Sequence, residues 1–343
     1  MRTNNVFTPE SEKAALYLLG EAMGFSYQAA LRAVAVLGVA DYLVDGAKTA
    51  QQLGMELGVD AQNLHRVMRL LATRNIFHEE TGDLFRLNPA AKLLCSSEPH
   101  SLRHAVLMLT DETFWGPLGN IAESVQGHSA FKQLYGMSFF EYWSKPQTRS
   151  PEYDFHSGMS SMSEVENLAL VRSYNFPEGA TVVDIAGGLG GLLLTVLQAN
   201  PTLQGILFDQ APILARHRLG ELADDARWRV QPGSFFESCP AADFYLLKYI
   251  THDWPDEKTI EILHNCRKAM LPNGKVLIMD TIIPEGNTPH FGKNMDLLLM
   301  ASFDGGRERT EAELSELLAK AELKINRIID TGSYVSIVEA VAR

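Results

Sequence analysis

A histidine beside an aspartate follows a short apolar segment, and this pair has the residue types needed for proton transfer. The segment LKYITHDWPDE contains His252 and comes at the end of Ala242–Leu247, a run typical of a buried strand. In α/β proteins, ligands bind beyond the carboxyl ends of the parallel strands. An imidazole titrates near pH 6.5, so His252 could take a proton from a bound substrate. The alternative is that His252 only helps to start the next helix.

A second segment, VVDIAGGLGG, has the glycine spacing of a cofactor-binding turn and leads into the helical stretch LLLTVLQAN. A dinucleotide turn requires G-x-G-x-x-G, and the frame starting at Gly188 fails because Leu193 stands at its last position. The pattern D-x-G-x-G-x-G is met instead by Asp184, Gly188 and Gly190. Ala186 takes the place of its first glycine. An aspartate there would repel a pyrophosphate but orient an ammonium group, which favours S-adenosylmethionine over NAD.

A further carboxylate closes the next predicted strand. The run LQGILFD ends at Asp209, whose two oxygens can accept hydrogen bonds from both hydroxyls of a ribose. Asp209 therefore supports the prediction of a nucleoside-containing cofactor.

The composition is that of an acidic globular protein. The chain has 343 residues, of which 46% are hydrophobic, and a net charge of −12, which argues against a protein that mainly binds nucleic acid. Its three cysteines are far apart in sequence and form no CxxC pair, so we predict reduced thiols and no metal site. The start lacks a signal-peptide pattern, and no run reaches the ~18–20 apolar residues of a membrane span. We expect a soluble, cytoplasmic protein.

The first half of the chain is predicted to be helical. Ala14–Ala40 is predicted to be one long apolar helix with little charge, which indicates burial against a partner subunit. Helices at Thr49–Leu57 and Ala61–Arg74 form a helix-turn-helix, and Ile76–Leu87 has the pattern of a hairpin, which gives a winged helix. DNA binding is one hypothesis, and a fold reused for packing or dimerisation is the other, which the acidic charge favours. The second helix carries four side chains that could contact DNA: His65, Arg66, Arg69 and Arg74.

Beyond the winged helix, an aromatic-rich helical region is followed by alternating strands and helices. Residues 102–175 are helical and rich in aromatic residues and Met, which is typical either of core packing or of a pocket for a flat ring. From Ala180, short strands alternate with helices, which predicts a doubly wound, Rossmann-like α/β sheet with helices on both faces. The last segment, GSYVSIVEAVAR, follows its predecessor through a Gly–Ser turn. We therefore expect the last strand to be inserted antiparallel.

These segments together resemble the class I S-adenosylmethionine-dependent O-methyltransferases of the plant caffeate and hydroxyindole type and their bacterial relatives that modify natural products. The resemblance covers essentially the whole chain. It implies a homodimer, no metal, and three parts: an N-terminal helical and winged-helix dimerisation domain at 1–100, a helical linker contributing to the substrate pocket at 101–177, and a cofactor domain at 178–343. The matching segments are VVDIAGGLGG, LFDQAP, GSFFESCPAADFYLLKYITHDWPDE, LPNGKVLIMD and GGRERT.

The resemblance also implies roles for individual residues. His252 is expected to take the proton of a phenolic hydroxyl, with Asp280 or Glu308 holding its imidazole. Asp209 is expected at the ribose, Ser163 at the methionyl end, and Lys248 near the adenine. The other residues expected at the cofactor are Asp184, Gly187, Gly188, Gly190, Gln210, Gly233, Ser234 and Phe235. The acceptor pocket is expected to contain Trp115, Phe155, Met159, Met162, Met295, Leu299 and Phe303.

Four positions carry specific expectations. Ala186 replaces a family glycine, at a small expected cost. Ser234 replaces a family aspartate that accepts a hydrogen bond from the adenine amino group. With serine, this contact is expected to be weaker or mediated by water. Asp280 replaces a glutamate of the plant enzymes and has a shorter reach. Asp253 is expected to point away from the imidazole and to cap the helix that begins near Trp254–Pro255.

Two other functions stay open at this point. The first is a relative that binds S-adenosylmethionine but catalyses hydroxylation, decarboxylation or a pericyclic step, against which the intact His252 counts. The second is a winged-helix regulator of transcription, against which the acidic charge counts.

Overall fold

The computed structural model describes residues 8–145 and 155–343. The chain divides into two compact units, one ending at Thr110 and the other running from Asp111 to Arg343. Within the described ranges, no helix is both long enough and apolar enough to cross a membrane.

The N-terminal apolar segment forms two helices, so the prediction of one long helix over Ala14–Ala40 is wrong. The break falls at Gly24, a poor helix former, where a larger residue would place its Cβ only 3.0 Å from the Glu21 carbonyl. The second helix ends at Gly38, whose φ of +66° is left-handed and stops the helical path. The two helices are α1 (Pro9–Ala22) and α2 (Phe25–Leu37).

A helix-turn-helix and a hairpin follow, as the sequence predicts, and a short strand before the motif joins the hairpin as a third strand. Thr49 and Gln52 form a reciprocal capping box at the start of the first helix, and Asp60 caps the second. The wing strands pair in the order β1–β3–β2, all antiparallel. The elements are β1 (Lys48–Thr49), α3 (Ala50–Leu57), α4 (Ala61–Ala72), β2 (His78–Glu80), β3 (Leu84–Arg86), α5 (Pro89–Lys92) and α6 (Arg103–Leu109).

Three of the four side chains that the DNA-binding hypothesis needs contact neighbours inside this unit. The Nε2 atom of His65 lies 3.1 Å from Glu79 and 3.3 Å from Asp83. Arg66 donates to Asn63 at 3.2 Å. The Arg74 guanidinium lies over the Tyr27 ring, 4.0 Å from its centroid. Three side chains that could contact DNA therefore already have partners within the N-terminal unit.

The second unit begins with short helices whose aromatic side chains pack together. Phe131 and Phe139 are fully buried, with ring centroids 5.2 Å apart, and Phe139 also contacts the ring of Phe155. The helices are α7 (Glu112–Gly119), α8 (Ile121–Val125), α9 (Ala130–Tyr135), α10 (Phe139–Ser144) and α11 (Phe155–Ser173).

A seven-stranded sheet forms the core of this unit, in the order β6–β5–β4–β7–β8–β10–β9. The strands are β4 (Thr181–Ile185), β5 (Gln204–Asp209), β6 (Trp228–Pro232), β7 (Ala242–Lys248), β8 (Met270–Asp280), β9 (Leu323–Asp330) and β10 (Ser336–Ala342). The intervening helices are α12 (Gly191–Ala199), α13 (Ala211–Leu214), α14 (Asp256–Ala269), α15 (Phe291–Ser302) and α16 (Glu311–Lys320). The strands from β4 to β8 are parallel, and β10 is antiparallel to both β8 and β9. The predicted α/β sheet with an inserted antiparallel last strand is confirmed.

The strand order reverses at β4, which pairs with β5 on one side and with β7 on the other. Such a switch point leaves a crevice beyond the carboxyl ends of the strands, where α/β sheets bind ligands. Asp184 near the end of β4 and Lys248 at the end of β7 both lie at this edge of the sheet. The fold therefore gathers the residues that the sequence singled out.

Candidate active site

A buried imidazole and a buried carboxylate meet just beyond β7. His252 lies in a short 3-10 turn, Thr251–Asp253, and its Nδ1 is 2.8 Å from Oε1 of Glu308. Both residues are nearly inaccessible, with 4% and 3% of their surface exposed. The backbone N–H of Glu308 donates to Asp296 at 2.9 Å, which fixes the main chain at the carboxylate. The His252–Glu308 contact therefore joins the 3-10 turn to a segment whose backbone is held by Asp296.

The residues on either side of Glu308 hold the turn that carries His252. The backbone N–H of Arg307 donates to the His252 carbonyl at 2.8 Å. The Arg309 guanidinium donates to the carbonyls of Thr251 at 2.6 Å and Trp254 at 2.9 Å. Gly306 permits this close approach, since a Cβ there would lie 2.9 Å from the His252 carbonyl. The GGRERT segment thus supports the turn through its backbone as well as through one side chain.

Asp280 has a different position from Glu308. It lies at the end of β8, where its carboxylate accepts the Tyr249 N–H at 2.9 Å and the Thr251 hydroxyl. Of the two carboxylates expected at the imidazole, Glu308 makes the hydrogen bond, and Asp280 anchors the backbone before and within the turn.

Asp253 does not cap a helix, so that prediction is wrong. α14 begins at Asp256, and its N-cap residue, Pro255, makes no side-chain capping bond. The 3-10 turn instead brings Oδ1 of Asp253 to 3.4 Å from Nε2 of His252. The imidazole therefore has a carboxylate on each side.

The carboxylates around the imidazole raise the pKa of His252. Burial lowers the pKa of His252, but the charges of Glu308, Asp280 and Asp253 outweigh it and raise this pKa to about 10. Burial also raises the pKa of Asp253 to about 7, against the opposing effect of His252. The site thus stabilises the imidazolium that forms when His252 accepts a proton.

Tyr249 is a neighbour of the imidazole that the sequence analysis did not identify. Its ring stacks on His252 with centroids 5.2 Å apart and an angle of 13° between the planes. Its φ of +57° is left-handed, which is uncommon for an aromatic residue. One signal in the sequence could have identified Tyr249, because it stands between the end of a predicted strand and the histidine.

The glycine turn after β4 adopts the conformation that its composition predicts. Gly188 and Gly190 have φ values of +60° and +82°, and a Cβ on Gly187 would lie 2.5 Å from Asp184. Gly188 N donates to Asp209 Oδ2 at 2.9 Å, so the turn and the end of β5 lie together. Gln210 N donates to the other oxygen, Oδ1, at 2.6 Å.

Ala186 adopts a strained backbone conformation, so its cost is larger than the small one expected. Its φ of +51° lies in the left-handed region, which costs a residue with a Cβ about 1–2 kcal/mol. The turn forces this conformation because the chain must reverse between β4 and α12. The expectation of a small cost is corrected accordingly.

Two buried polar atoms at this turn have no hydrogen-bond partner among the described residues. They are Oδ2 of Asp184 and Nδ2 of Asn167. Burial raises the pKa of Asp184 to about 7. No atom of the described structure would meet a Cβ on Gly188 within 4 Å, so space is open above the turn. A ligand that brings both a donor and an acceptor fits this site.

Lys248 and Ser163 lie together at the switch point. The Lys248 ammonium is 3.3 Å from the Ser163 carbonyl and 2.7 Å from Glu166 Oε2. Lys248 thus lies beside the residue expected at the methionyl end, whereas the family resemblance implies a position near the adenine.

The residues expected at the adenine follow β6. Gly233 N donates to the Asp209 carbonyl at 3.1 Å, so this loop lies beside the end of β5. Ser234 Oγ accepts the Phe236 N–H at 3.3 Å, and the Phe235 carbonyl accepts from Asn265 at 2.9 Å.

Six of the seven residues expected at the acceptor lie on three helices, Phe303 follows the last of these helices, and only some of the seven are in contact. Phe303 stacks on Phe139 at 4.6 Å, and Phe155 contacts the same ring. A cavity of about 660 Å³ is lined by Phe303, Met300, Asp296 and Glu308 among others. Of the seven expected residues, Phe303 is the one that lines this cavity. Met159 and Met162 lie on α11, Met295 and Leu299 on α15, and Trp115 on α7, which packs against α15.

A mostly parallel sheet with an open glycine turn at its switch point, beside a buried histidine–carboxylate pair, defines a cofactor-dependent α/β enzyme. Two family models match the chain. The O-methyltransferase domain matches residues 115–324, and the O-methyltransferase dimerisation domain matches residues 21–97. The chain belongs to the O-methyltransferase family, and it is an S-adenosylmethionine-dependent enzyme.

Individual relatives agree with this assignment. The chain is 37% identical to the phenazine O-methyltransferase PhzM of Lysobacter antibioticus, over 94% of this chain and 95% of that protein. It is 41% identical to CalO1, a methyltransferase in calicheamicin biosynthesis solved with S-adenosylhomocysteine, with a TM-score of 0.89 over 96% and 98% of the two chains. It is 30% identical to NcsB1, an O-methyltransferase from neocarzinostatin biosynthesis solved with S-adenosylmethionine and a hydroxynaphthoic acid, with a TM-score of 0.73 over 93% and 96%.

Proposed function

We propose that the enzyme methylates a phenolic hydroxyl of an aromatic small molecule, a secondary metabolite, with His252 as the general base. The single observation that carries the proposal is the buried contact of 2.8 Å between His252 Nδ1 and Glu308 Oε1 beside the switch point. The relatives named above support the acceptor class, because one is named for phenazine and another was solved with a hydroxynaphthoic acid.

The chemistry of His252 follows from its partners. Because Glu308 holds Nδ1, the proton of the neutral ring stays on Nδ1. Nε2, which lies 3.4 Å from Oδ1 of Asp253, keeps the lone pair that would accept the proton of the acceptor hydroxyl. S-adenosylmethionine, when bound, supplies a methyl group on a positively charged sulfur. A phenol titrates near pH 10 and reacts faster as its proton leaves, and a positioned base contributes roughly 10²–10⁴-fold. Glu308 and Asp253 then stabilise the resulting imidazolium.

The cofactor would be held by the residues of the switch point. Gly187, Gly188 and Gly190 would leave room for it, Asp184 would face its ammonium, and Asp209 would accept hydrogen bonds from its ribose hydroxyls. Gln210, Gly233, Ser234 and Phe235 would surround the base. The supporting observations are the open space at Gly188 and the partnerless Asp184 oxygen.

A direct assay tests the proposed reaction. The purified enzyme is incubated with S-adenosylmethionine and a panel of hydroxylated naphthoates, phenazines and benzoates. Formation of S-adenosylhomocysteine and of a methyl ether in equal amounts is the expected result. Conversion of the acceptor to a hydroxylated or decarboxylated product with no methyl ether would contradict it. No observation on the described residues favours these rival reactions.

We also propose that the enzyme acts as a homodimer in the cytoplasm, without nucleic acid or membrane partners. Its proposed parts are the dimerisation domain at 1–100, the helical linker at 101–177 and the cofactor domain at 178–343. The dimerisation-domain match supports the dimer, and so does α1, where four successive apolar residues are 64–71% exposed in the isolated chain: Leu16, Tyr17, Leu18 and Leu19. Light scattering would test the dimer, with Leu18→Asp expected to give monomers. A monomeric wild-type protein would contradict the proposal.

A further inference from the structure

Lys248 at the end of β7 forms a buried ion pair with Glu166 on α11. The two side chains are 7% and 3% exposed, and Nζ lies 2.7 Å from Oε2. The other oxygen, Oε1, accepts hydrogen bonds from the hydroxyls of Tyr249 and Tyr334. The charge of Lys248 is therefore balanced within the protein, and Lys248 is not a free cation for the cofactor.

The ion pair fixes the orientation of the neighbouring amide of Asn167. The Lys248 ammonium is 3.0 Å from Oδ1 of Asn167, and an ammonium group can only donate. The amide oxygen must therefore face Lys248, and the NH₂ group must face the opposite way. On that side lies Gly191, where a Cβ would be 3.6 Å from Nδ2. Asn167 thus directs two donor hydrogens at the end of the glycine turn.

These donors have no acceptor in the described part of the protein. Asn167 is 1% exposed, and its Nδ2 has no hydrogen-bond partner there. A buried amide donor without an acceptor is unfavourable, so such an atom indicates a ligand. The first residue of α12 is Gly191, and the free N–H groups of a helix N-terminus add a second preference for a negatively charged group.

The two partnerless atoms at the turn differ in kind. Oδ2 of Asp184 can only accept when ionised, and Nδ2 of Asn167 can only donate. An α-amino acid group carries one ammonium and one carboxylate, so it satisfies both atoms at once. S-adenosylmethionine has such a group at its methionyl end, and its carboxylate is the only anion in the molecule.

We propose that Asn167 binds the methionyl carboxylate of the cofactor, and that Lys248 and Glu166 are positioning residues that orient the Asn167 amide. The proposal rests on the proposed placement of the cofactor at the Gly187–Gly191 turn. It adds a binding residue on α11, one helical turn after Ser163. Substitutions at Asn167 should therefore weaken only those ligands that carry the amino-acid group.

The test compares two ligands that differ in that end. Isothermal titration calorimetry measures the affinity for S-adenosylhomocysteine, which has the amino-acid group, and for 5′-methylthioadenosine, which lacks it. Asn167→Leu removes the donors, and Asn167→Asp keeps the oxygen that faces Lys248 but places a second oxygen at the carboxylate. We expect S-adenosylhomocysteine to bind about tenfold more weakly to the first variant and weaker still to the second. The affinity for 5′-methylthioadenosine should change less than about twofold.

Two controls make the outcome decisive. Val165→Ala, an exposed position on the same helix, should leave both affinities unchanged. Gly188→Val should weaken both ligands together, because its side chain would occupy the open space above the turn. Unchanged binding in Gly188→Val would overturn the cofactor placement itself. If Asn167→Leu does not fold, Asn167→Asp alone decides. Wild-type affinity for S-adenosylhomocysteine in the Asn167 variants, or an equal loss for both ligands, would overturn the role of Asn167.

Discussion

His252 and Glu308 are 56 residues apart in sequence, yet their side chains meet at 2.8 Å inside the protein. β7 delivers the histidine and the GGRERT segment delivers the carboxylate, and the Arg307 N–H joins the two backbones. The pair is thus held by main-chain contacts that do not depend on the imidazole itself. Substitutions at His252 should therefore test its chemistry without removing the support around it.

We expect His252→Ala to lower the turnover number at least a hundredfold and to leave the affinity for S-adenosylhomocysteine within about twofold of wild type. The loss reflects the missing proton acceptor. Steady-state kinetics with a phenolic acceptor and calorimetry measure the two quantities. His264→Ala, an exposed histidine on α14, is the matched control and should keep full turnover. Unchanged turnover in His252→Ala would dismiss the general base.

The pH dependence of kcat/KM should report the raised pKa of His252. Since this pKa is about 10 in the free enzyme, kcat/KM should rise with pH through the neutral and mildly alkaline range. Glu308→Gln removes one of the charges that raise the pKa, so the rising limb should move to lower pH while the maximal rate falls. If the rising part of the kcat/KM profile of Glu308→Gln lies at the same pH as in the wild type, a group other than His252 controls it.

Ala186→Gly should stabilise the protein. The left-handed φ of +51° favours glycine, and relief of the strain outweighs the greater freedom of glycine in the unfolded chain, so we expect a gain of about 1 kcal/mol. Urea denaturation measures the free energy of unfolding. The control is Ala312→Gly in the helix α16, which should lower the free energy of unfolding instead. A loss of stability in Ala186→Gly would show that the methyl group is needed for packing.

Glu339 should make the protein sensitive to acid. Burial raises the pKa of its carboxyl, but hydrogen bonds from Tyr174, Lys275, Asn326 and Arg327 outweigh burial and hold it at about 2. A lowered pKa contributes stability above the unfolded value of 4.5 that is lost as the pH falls toward 2.

We therefore expect the free energy of unfolding to fall by up to about 3 kcal/mol over this range through Glu339 alone. Glu339→Gln should flatten that part of the curve, which is measured by urea denaturation at a series of pH values. Parallel curves for wild type and Glu339→Gln would contradict this contribution.

Much of the fold followed from local patterns in the sequence. The strand ends, the glycine turn and the antiparallel last strand were predictable because each depends on a short run of residues. The break at Gly24 was missed, since an apolar pattern continues across it and a single glycine is a weak signal. The wrong role for Asp253 has a similar origin, because the path of a 3-10 turn is decided by Arg307 and Arg309 from a distant segment.

The site was predictable only in part. His252 and Glu308 follow from motifs, whereas the role of Asn167 depends on the ion pair between Lys248 and Glu166, which links a strand to a helix 82 positions earlier. No local pattern contains that information. Tyr249 likewise looks like an ordinary aromatic residue until its ring is placed on the imidazole.

The position of β10 affects how the enzyme is made. β8 ends in Asp280, which anchors the His252 turn, and its outer edge pairs with β10, a strand synthesised long afterwards. Until residues 336–342 have left the ribosome, that edge offers unpaired backbone groups to other chains. A chain truncated before Ser336 would keep this edge of β8 unpaired, and we therefore expect it to aggregate more readily than the full chain.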